Sequence, residues 1–206
     1  MSKKILELFP TTVYTTNLID TNQYSADDLS DLGNMLMDPG APETPDHIIG
    51  EGNMKTCYVE DWRLATYMVN EDDDLCSAIN AGLSILAYTS GLELVALADS
   101  WYTVMHKGSR IHRHRHDSSV LSGTLFVNAP EGSHGIAFVN PTTVNQSMYR
   151  VNTRTKYTEA AKLIPAKTGD MFIYPSWLEQ FVPVVECDNR ITISFNADYR
   201  KNHRTS

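Results

Sequence analysis

The segment "RIHRHRHDSSVLSGTLFVNA", residues 110–129, carries the clearest strand patterning of the chain. It contains two segments with the patterning of β-strands, the alternating "IHRHRH" and the apolar "VLSGTLFVNA". Further short β-prone segments, separated by turn signals, lie on either side: "LELVALADSWYTVM", "GIAFVN", "YRVNT", "AKLIPA", "DMFIYP", "EQFVPVV" and "RITISFNADY". Many closely spaced short strands predict a β-sandwich or barrel, whose interior can hold one small ligand.

The part of the chain before these segments predicts an initial strand, "LFPTTVYTTNLI", and two helices. The first helix has Ser25 as its N-cap and stops at "DPG", residues 38–40, and the second runs from Asp74 to a C′ glycine, Gly91. Their apolar positions share one face in each helix: Leu29, Leu32 and Leu36, then Leu75, Ile79, Leu83 and Leu86. Prolines and glycines between residues 39 and 60 predict an irregular loop, which could act as a lid.

Composition and length indicate one domain over residues 1–206, mainly β, with helices mainly within residues 25–92 packed against the β core. A formal net charge of -8 argues against general binding to nucleic acid backbones. Three cysteines without C-x-x-C spacing suggest neither disulfides nor a zinc ribbon. No segment has the pattern of a signal peptide or a membrane helix, so we expect a cytoplasmic protein.

Three histidines recur at every second position of residues 111–116. If this segment is a strand, its side chains alternate between two faces, and His112, His114 and His116 share one of them. Neutral imidazoles placed in this way are good ligands for iron, zinc, copper or nickel. An exposed basic edge and ordinary packing are the alternatives, and the spacing alone does not decide which two histidines would bind.

The late segment "RITISFN", residues 190–196, has a polar face headed by Arg190. The hydroxyls of Thr192 and Ser194 follow it on that face, while Ile191, Ile193 and Phe195 form the opposite one. An arginine with hydroxyls behind it suits bidentate capture of a carboxylate. A salt-bridged arginine on a surface strand is the alternative.

Several short motifs along the chain occur in an order that is characteristic of one family. They are "FPTTVY" at 9–14, Trp101, Gly108, "HRH" at 114–116, "SG" at 122–123, "PEG" at 130–132, "GD" at 169–170, "YPSWL" at 174–178, Arg190 and "FN" at 195–196. Together they resemble the Fe(II)- and 2-oxoglutarate-dependent oxygenases, and most closely a group of these found in marine bacteria and their phages. The likeness covers the start of the chain and nearly all of its second half.

This resemblance implies a double-stranded β-helix (jelly-roll) fold with Fe(II) held by His114 and His116. It implies that 2-oxoglutarate chelates the iron while Arg190, helped by Thr192, pairs with the far carboxylate. Ser122 is a further candidate for contact with this cosubstrate.

The chain departs from the family pattern at the distal metal ligand, where Gln180 stands in place of a histidine ten residues before Arg190. Glutamine offers a neutral amide oxygen, which binds Fe(II) less well than imidazole does. His112 is a possible substitute because it shares the predicted face, although three ligands from one strand would strain a facial site. Other candidates are Glu179, His106 and His134.

The resemblance therefore implies an enzyme that uses Fe(II) and 2-oxoglutarate to hydroxylate an unknown small-molecule or protein substrate, in the host cytoplasm if a phage encodes it. Two alternatives stay open. One is a jelly-roll binding or structural protein that has lost its distal ligand and its catalysis. The other is a cupin-like metal protein that uses three histidines without 2-oxoglutarate, in which Arg190 would be incidental.

Overall fold

The computed structural model of the protein describes residues 9–38, 49–57, 73–142 and 150–199. The helices are α1 (Ala26–Met37) and α2 (Asp73–Ser90). The strands are β1 (Tyr14–Asn17), β2 (Gly50–Glu51), β3 (Met54–Cys57), β4 (Val95–Met105), β5 (Arg110–His114), β6 (Leu121–Asn128), β7 (Gly135–Val139), β8 (Ala161–Pro165), β9 (Asp170–Pro175), β10 (Gln180–Val182) and β11 (Arg190–Tyr199).

These strands form two antiparallel sheets. One has the order β1-β9-β6-β11-β4-β3 and the other the order β2-β5-β10-β7-β8. Neighbouring strands in each sheet are mostly distant in sequence, so the chain passes repeatedly from one sheet to the other. The mainly β architecture predicted from the sequence is confirmed.

Strand β11 shows how the sheets are arranged. Its apolar residues Ile191, Ile193 and Phe195 are completely buried in a core shared with α1 and α2, whereas Arg190 and Thr192 line a cavity on the other face. The six-stranded sheet is therefore covered by helices on one face and by the second sheet on the other. The alternation predicted for this strand is present in the structure.

Both helices have the ends that their sequences predict. The hydroxyl of Ser25 accepts the N–H of Asp28 at 3.0 Å, and the Asp28 carboxylate accepts the N–H of Ser25 at 3.3 Å, which together form a capping box. Helix α2 ends before Gly91, whose φ of 68° is the left-handed conformation that glycine adopts most readily. Among the described residues, no helix combines the length and apolar composition needed to cross a membrane.

Two predictions about local structure are wrong. Residues 49–57, assigned to an irregular loop, contain β2 and β3, which are stabilised by pairing with β5 and β4. The remainder of the predicted loop and lid, residues 39–48 and 58–60, lies outside the described residues. Residues 150–153 of the predicted strand "YRVNT" form no strand and are exposed, so they have no apolar face to bury.

A candidate metal and carboxylate site between the two sheets

An extra residue in β5 determines which histidine faces the interior. His114 pairs with Gln180 of β10, and Ile111 pairs with Val182, so three steps along β5 match two along β10. This β-bulge places Ile111 and His114 on the same, cavity-lining face. Bulges of this kind often re-aim side chains beside functional sites.

The bulge turns His112 away from the cavity. Its side chain is 52% exposed, and its Nε2 lies 3.6 Å from the carboxylate of Glu51, which also pairs with Arg110 at 2.7 Å. The common face predicted for His112, His114 and His116 therefore does not form, because strict alternation fails at the bulge. His112 is not placed to substitute for a third metal ligand.

The remaining two histidines converge on Gln180. The side-chain nitrogen of Gln180 lies 2.8 Å from Nε2 of His116 and 3.4 Å from Nε2 of His114. The two imidazole rings are 5.1 Å apart, and the ring of Trp101 lies 5.5 Å from that of His116. The structure thus brings together the three residues that the family pattern selects.

Hydrogen bonding and burial prepare both imidazoles as metal ligands. Nδ1 of His114 lies 2.8 Å from the carbonyl oxygen of His112; a carbonyl can only accept, so Nδ1 carries the hydrogen and Nε2 presents its lone pair. Burial lowers the pKa of His114, and burial followed by the neighbouring His114 lowers the pKa of His116 to about 4. Both rings are therefore neutral at pH 7, as metal coordination requires.

Gln180 is itself held in place. It is buried, and its side chain is hydrogen-bonded to Tyr174, which in turn is hydrogen-bonded to Thr124. Burial raises the pKa of Tyr174 to about 12, so the phenol keeps its proton at neutral pH. Tyr174 belongs to the motif "YPSWL", but nothing in its local pattern reveals a contact with a residue on β10.

The donor set formed by His114, His116 and Gln180 fits a divalent transition metal, with one weak ligand. Two imidazole nitrogens suit Fe(II), and the Gln180 amide would contribute its oxygen, the neutral donor that binds iron least strongly of the three. Within the described ranges, no group of three or more His, Cys, Asp and Glu side chains is placed to hold a metal ion. A site here therefore needs the amide or a ligand from outside the protein.

The other proposed substitutes lie elsewhere in the structure. His106 is 3.6 Å from Asp188, and His134 is 3.9 Å from Glu186, each in an ion-pair geometry away from the imidazole pair. Glu179 is next to Gln180 in sequence but does not line the cavity. None of the three converges with His114 and His116.

Arg190 is buried in the same cavity, and none of the described carboxylates is its counter-ion. Its side chain is 1% exposed and donates to the carbonyls of Ser133 and Gly135 and to the sulfur of Met105. Its guanidinium carbon lies 5.1 Å from the centre of the Phe126 ring. Burial lowers the pKa of Arg190 to about 10, so it is still a cation at neutral pH.

Two of the five N–H groups of Arg190 remain available for a ligand, and no described carboxylate forms an ion pair with it. A buried cation without an anion is unfavourable. Thr192 lines the cavity on the same face of β11, two residues further on. This end of the cavity is therefore built to receive an anion.

Ser122 supports the site from outside the cavity lining. Its hydroxyl lies 2.7 Å from that of Ser176 and donates to the amide oxygen of Asn196 at 2.8 Å, and the Ser176 carbonyl accepts the backbone N–H of His116 at 3.1 Å. The prediction that Ser122 contacts a cofactor is not met, because its hydrogen bonds are used inside the protein. Its position instead fixes the turn that carries His116.

The cavity that joins these groups has a volume of about 300 Å³. Its walls come from both sheets and include the hydroxyls of Thr103, Thr124 and Ser194. The size is at the lower end of the range for small-molecule sites. A small, polar and anionic ligand matches both the volume and the charge.

Comparison with known proteins finds a family model that matches part of the chain. A sequence model of the family described as "Putative 2OG-Fe(II) oxygenase" matches residues 99–196, the segment that carries the histidines, Gln180 and Arg190. A search of curated proteins finds no match.

Several solved structures have a similar fold. A 2OG-Fe(II) oxygenase family protein from Burkholderia pseudomallei is 12% identical with a TM-score of 0.60, covering 90% of this chain and 85% of that one. The non-heme alpha ketoglutarate dependent epimerase SnoN from nogalamycin biosynthesis is 12% identical with a TM-score of 0.63, covering 92% and 78%. HygX from Streptomyces hygroscopicus, solved with nickel and 2-oxoglutarate, is 9% identical with a TM-score of 0.60, covering 93% and 84%.

These structures confirm the predicted jelly-roll fold.

Proposed function

We propose that the protein is an Fe(II)- and 2-oxoglutarate-dependent oxygenase that hydroxylates a small molecule or a protein. The observation that carries this proposal is the buried Arg190, which has no ion-pair partner among the described carboxylates, in one cavity with two neutral imidazoles. Such a cavity suits a ligand with a carboxylate at one end and a metal-chelating group at the other. The family match and the fold neighbours favour this function over a non-catalytic jelly-roll or a metal protein without 2-oxoglutarate.

The chain's own residues would divide the work between the two ends of the cavity. His114, His116 and the amide oxygen of Gln180 would hold the iron, and Arg190 with Thr192 would pair with the far carboxylate of 2-oxoglutarate. Two related folds support these ligands, since SnoN is solved with Fe3+ and alpha ketoglutarate and HygX with nickel and 2-oxoglutarate.

When bound, iron would supply the oxidative chemistry, in which R–H, 2-oxoglutarate and O2 become R–OH, succinate and CO2. The protein's part is to orient the reactants and keep the site dry. Trp101, packed against His116, and Ile111 form apolar wall around the imidazoles, while Arg190 fixes the direction in which the cosubstrate lies.

The test is an anaerobic titration of the protein with Fe(II) and then 2-oxoglutarate, followed by the visible absorption of the chelate. We expect a band at saturation with both, and succinate formation when O2 is admitted. Gln180→His is titrated alongside and should give the band at lower metal concentrations. The absence of a band in both proteins would overturn the proposed function.

A further inference from the structure

The charges around the cavity are unbalanced. Among the described residues, its buried lining contains the guanidinium of Arg190 and no carboxylate. Asp117 is the acidic residue among those lining the cavity, and its side chain is exposed. A divalent metal entering alone would therefore add two positive charges beside a buried cation without a buried anion to offset them.

Gln180 makes the entry of a metal alone less favourable still. Its side-chain nitrogen lies 2.8 Å and 3.4 Å from the two imidazole nitrogens, so it donates hydrogen bonds to the same atoms that would bind the ion. A metal must replace these hydrogen bonds and gains only a neutral amide oxygen from Gln180. A carboxylate or an imidazole at this position would give the metal a stronger ligand.

A 2-oxo dicarboxylate offsets both features that oppose metal binding, the unbalanced positive charge and the weak ligand at Gln180. Its far carboxylate can pair with Arg190 without any metal, which neutralises the buried cation. Its 2-oxo acid end then supplies an anionic oxygen beside the imidazoles, the kind of ligand that the described residues around His114 and His116 do not provide. The negative charge of the cosubstrate thus balances the positive charges of Arg190 and the metal, which no buried carboxylate among the described residues offsets.

We propose that Gln180 makes metal loading conditional on the cosubstrate: the 2-oxo dicarboxylate binds the metal-free protein first, through Arg190, and the metal follows. This inference rests on the proposed function. It adds the order in which the cosubstrate and the metal bind, and it identifies Gln180 as the residue responsible for that order. By thermodynamic linkage, 2-oxoglutarate and metal raise each other's affinity by the same factor. The expected factor is roughly 5- to 150-fold, the range typical of coupled sites.

The experiment measures binding rather than turnover. Chelator-treated full-length protein is titrated with Co(II) by isothermal calorimetry, without and with saturating 2-oxoglutarate, and the metal-free protein is titrated with 2-oxoglutarate alone. We expect 2-oxoglutarate to bind without metal and to tighten Co(II) binding by the factor above. Succinate has both carboxylates but no 2-oxo group, and should tighten Co(II) binding less. An equal effect of succinate would overturn the role given to the 2-oxo acid end.

Two variants test the role of Gln180. Gln180→Glu and Gln180→His each supply a stronger ligand, so both should bind Co(II) tightly without 2-oxoglutarate and show a smaller coupling factor. Gln23→Glu is the matched control, because it makes the same change from amide to carboxylate at an exposed position outside the cavity lining, and it should keep the wild-type coupling. Unchanged coupling in both folded Gln180 variants would overturn the proposal.

The outcomes separate this inference from the proposed function. Wild-type protein that binds Co(II) equally well with and without 2-oxoglutarate would overturn conditional loading and leave an oxygenase site intact. Protein that binds neither ligand under any of these conditions would overturn both. The wild-type titration alone distinguishes these results, even if a variant fails to fold.

Discussion

The side-chain nitrogen of Gln180 lies 2.8 Å from Nε2 of His116, within hydrogen-bonding distance of a buried, neutral imidazole. The contact joins β10 to the turn after β5, and the Tyr174 phenol holds the Gln180 side chain as well. A residue that would be a weak metal ligand is therefore a well-placed hydrogen-bond donor. Its hydrogen bonds direct the imidazoles of His114 and His116 towards one point.

Two of the three histidines at positions 112, 114 and 116 should behave differently on substitution. His114→Ala removes a nitrogen that faces Gln180, whereas His112→Ala removes an exposed ring on the other side of the bulge. We expect His114→Ala to weaken Co(II) binding, measured with saturating 2-oxoglutarate, by more than the roughly 10- to 100-fold typical of losing a supporting residue. His112→Ala should bind as wild type does. Equal losses would contradict the assignment of ligands.

Arg190→Ala should weaken 2-oxoglutarate binding far more than metal binding. Removing one partner of a buried charge-assisted hydrogen bond costs about 2–5 kcal/mol. Calorimetry on metal-free protein should show this loss, while Co(II) affinity measured without 2-oxoglutarate should be unchanged or higher, since a buried cation has been removed. Arg113→Ala is the control, because that guanidinium lies over the Phe181 ring, 5.4 Å from its centre, on the exposed face of β5. If Arg190→Ala weakened the binding of 2-oxoglutarate and of Co(II) equally, the result would argue against a carboxylate-binding role for Arg190.

Local patterns in the sequence predict the elements with strong periodicity. The capping box at Ser25 and the faces of β11 depend on residues close together in sequence, so they could be read without the fold. The position of Arg190 on the polar face of its strand follows from alternation alone.

Features that depend on distant pairing could not be predicted in this way. The bulge that turns His112 outwards arises where β5 meets β10, about 70 residues later in the chain, and β2 and β3 are strands because β5 and β4 pair with them. The Tyr174 contact with Gln180 and the use of Ser122 inside the protein likewise depend on tertiary packing. The alternation of side chains along a strand predicts the face of a residue only where the pairing with the neighbouring strand has no bulge.

Gly123→Ala should destabilise the fold by overpacking. A Cβ at this position of β6 would lie 2.2 Å from the ring of Phe195 and 2.8 Å from the carbonyl oxygen of Phe172. Overpacking in a buried position costs about 1–3 kcal/mol, which urea denaturation would detect. Gly33→Ala is the control: its Cβ would make an ordinary contact of 3.5 Å with Ile191, and removing a glycine from inside α1 should raise stability by about 0.5–1 kcal/mol. A neutral Gly123→Ala would show that β6 and β11 can move apart.

The stability of the metal-free protein should fall with acidification between about pH 6.5 and pH 4 because of His116. Its pKa is lowered from 6.5 to about 4 in the folded state, so in this interval the unfolded chain binds a proton that the folded protein excludes. The stabilisation is complete above pH 6.5 and is lost as the pH falls through the folded-state pKa, with an upper limit of about 3 kcal/mol.

His116→Asn removes this titration. The difference in free energy of unfolding between wild type and His116→Asn, measured by urea denaturation in chelator, should therefore shrink from pH 7 to pH 4. His112→Asn is the control, since that ring is exposed, and it should keep the wild-type pH dependence. A difference between wild type and His116→Asn that does not vary with pH would mean that His116 is not a buried neutral imidazole in the metal-free protein.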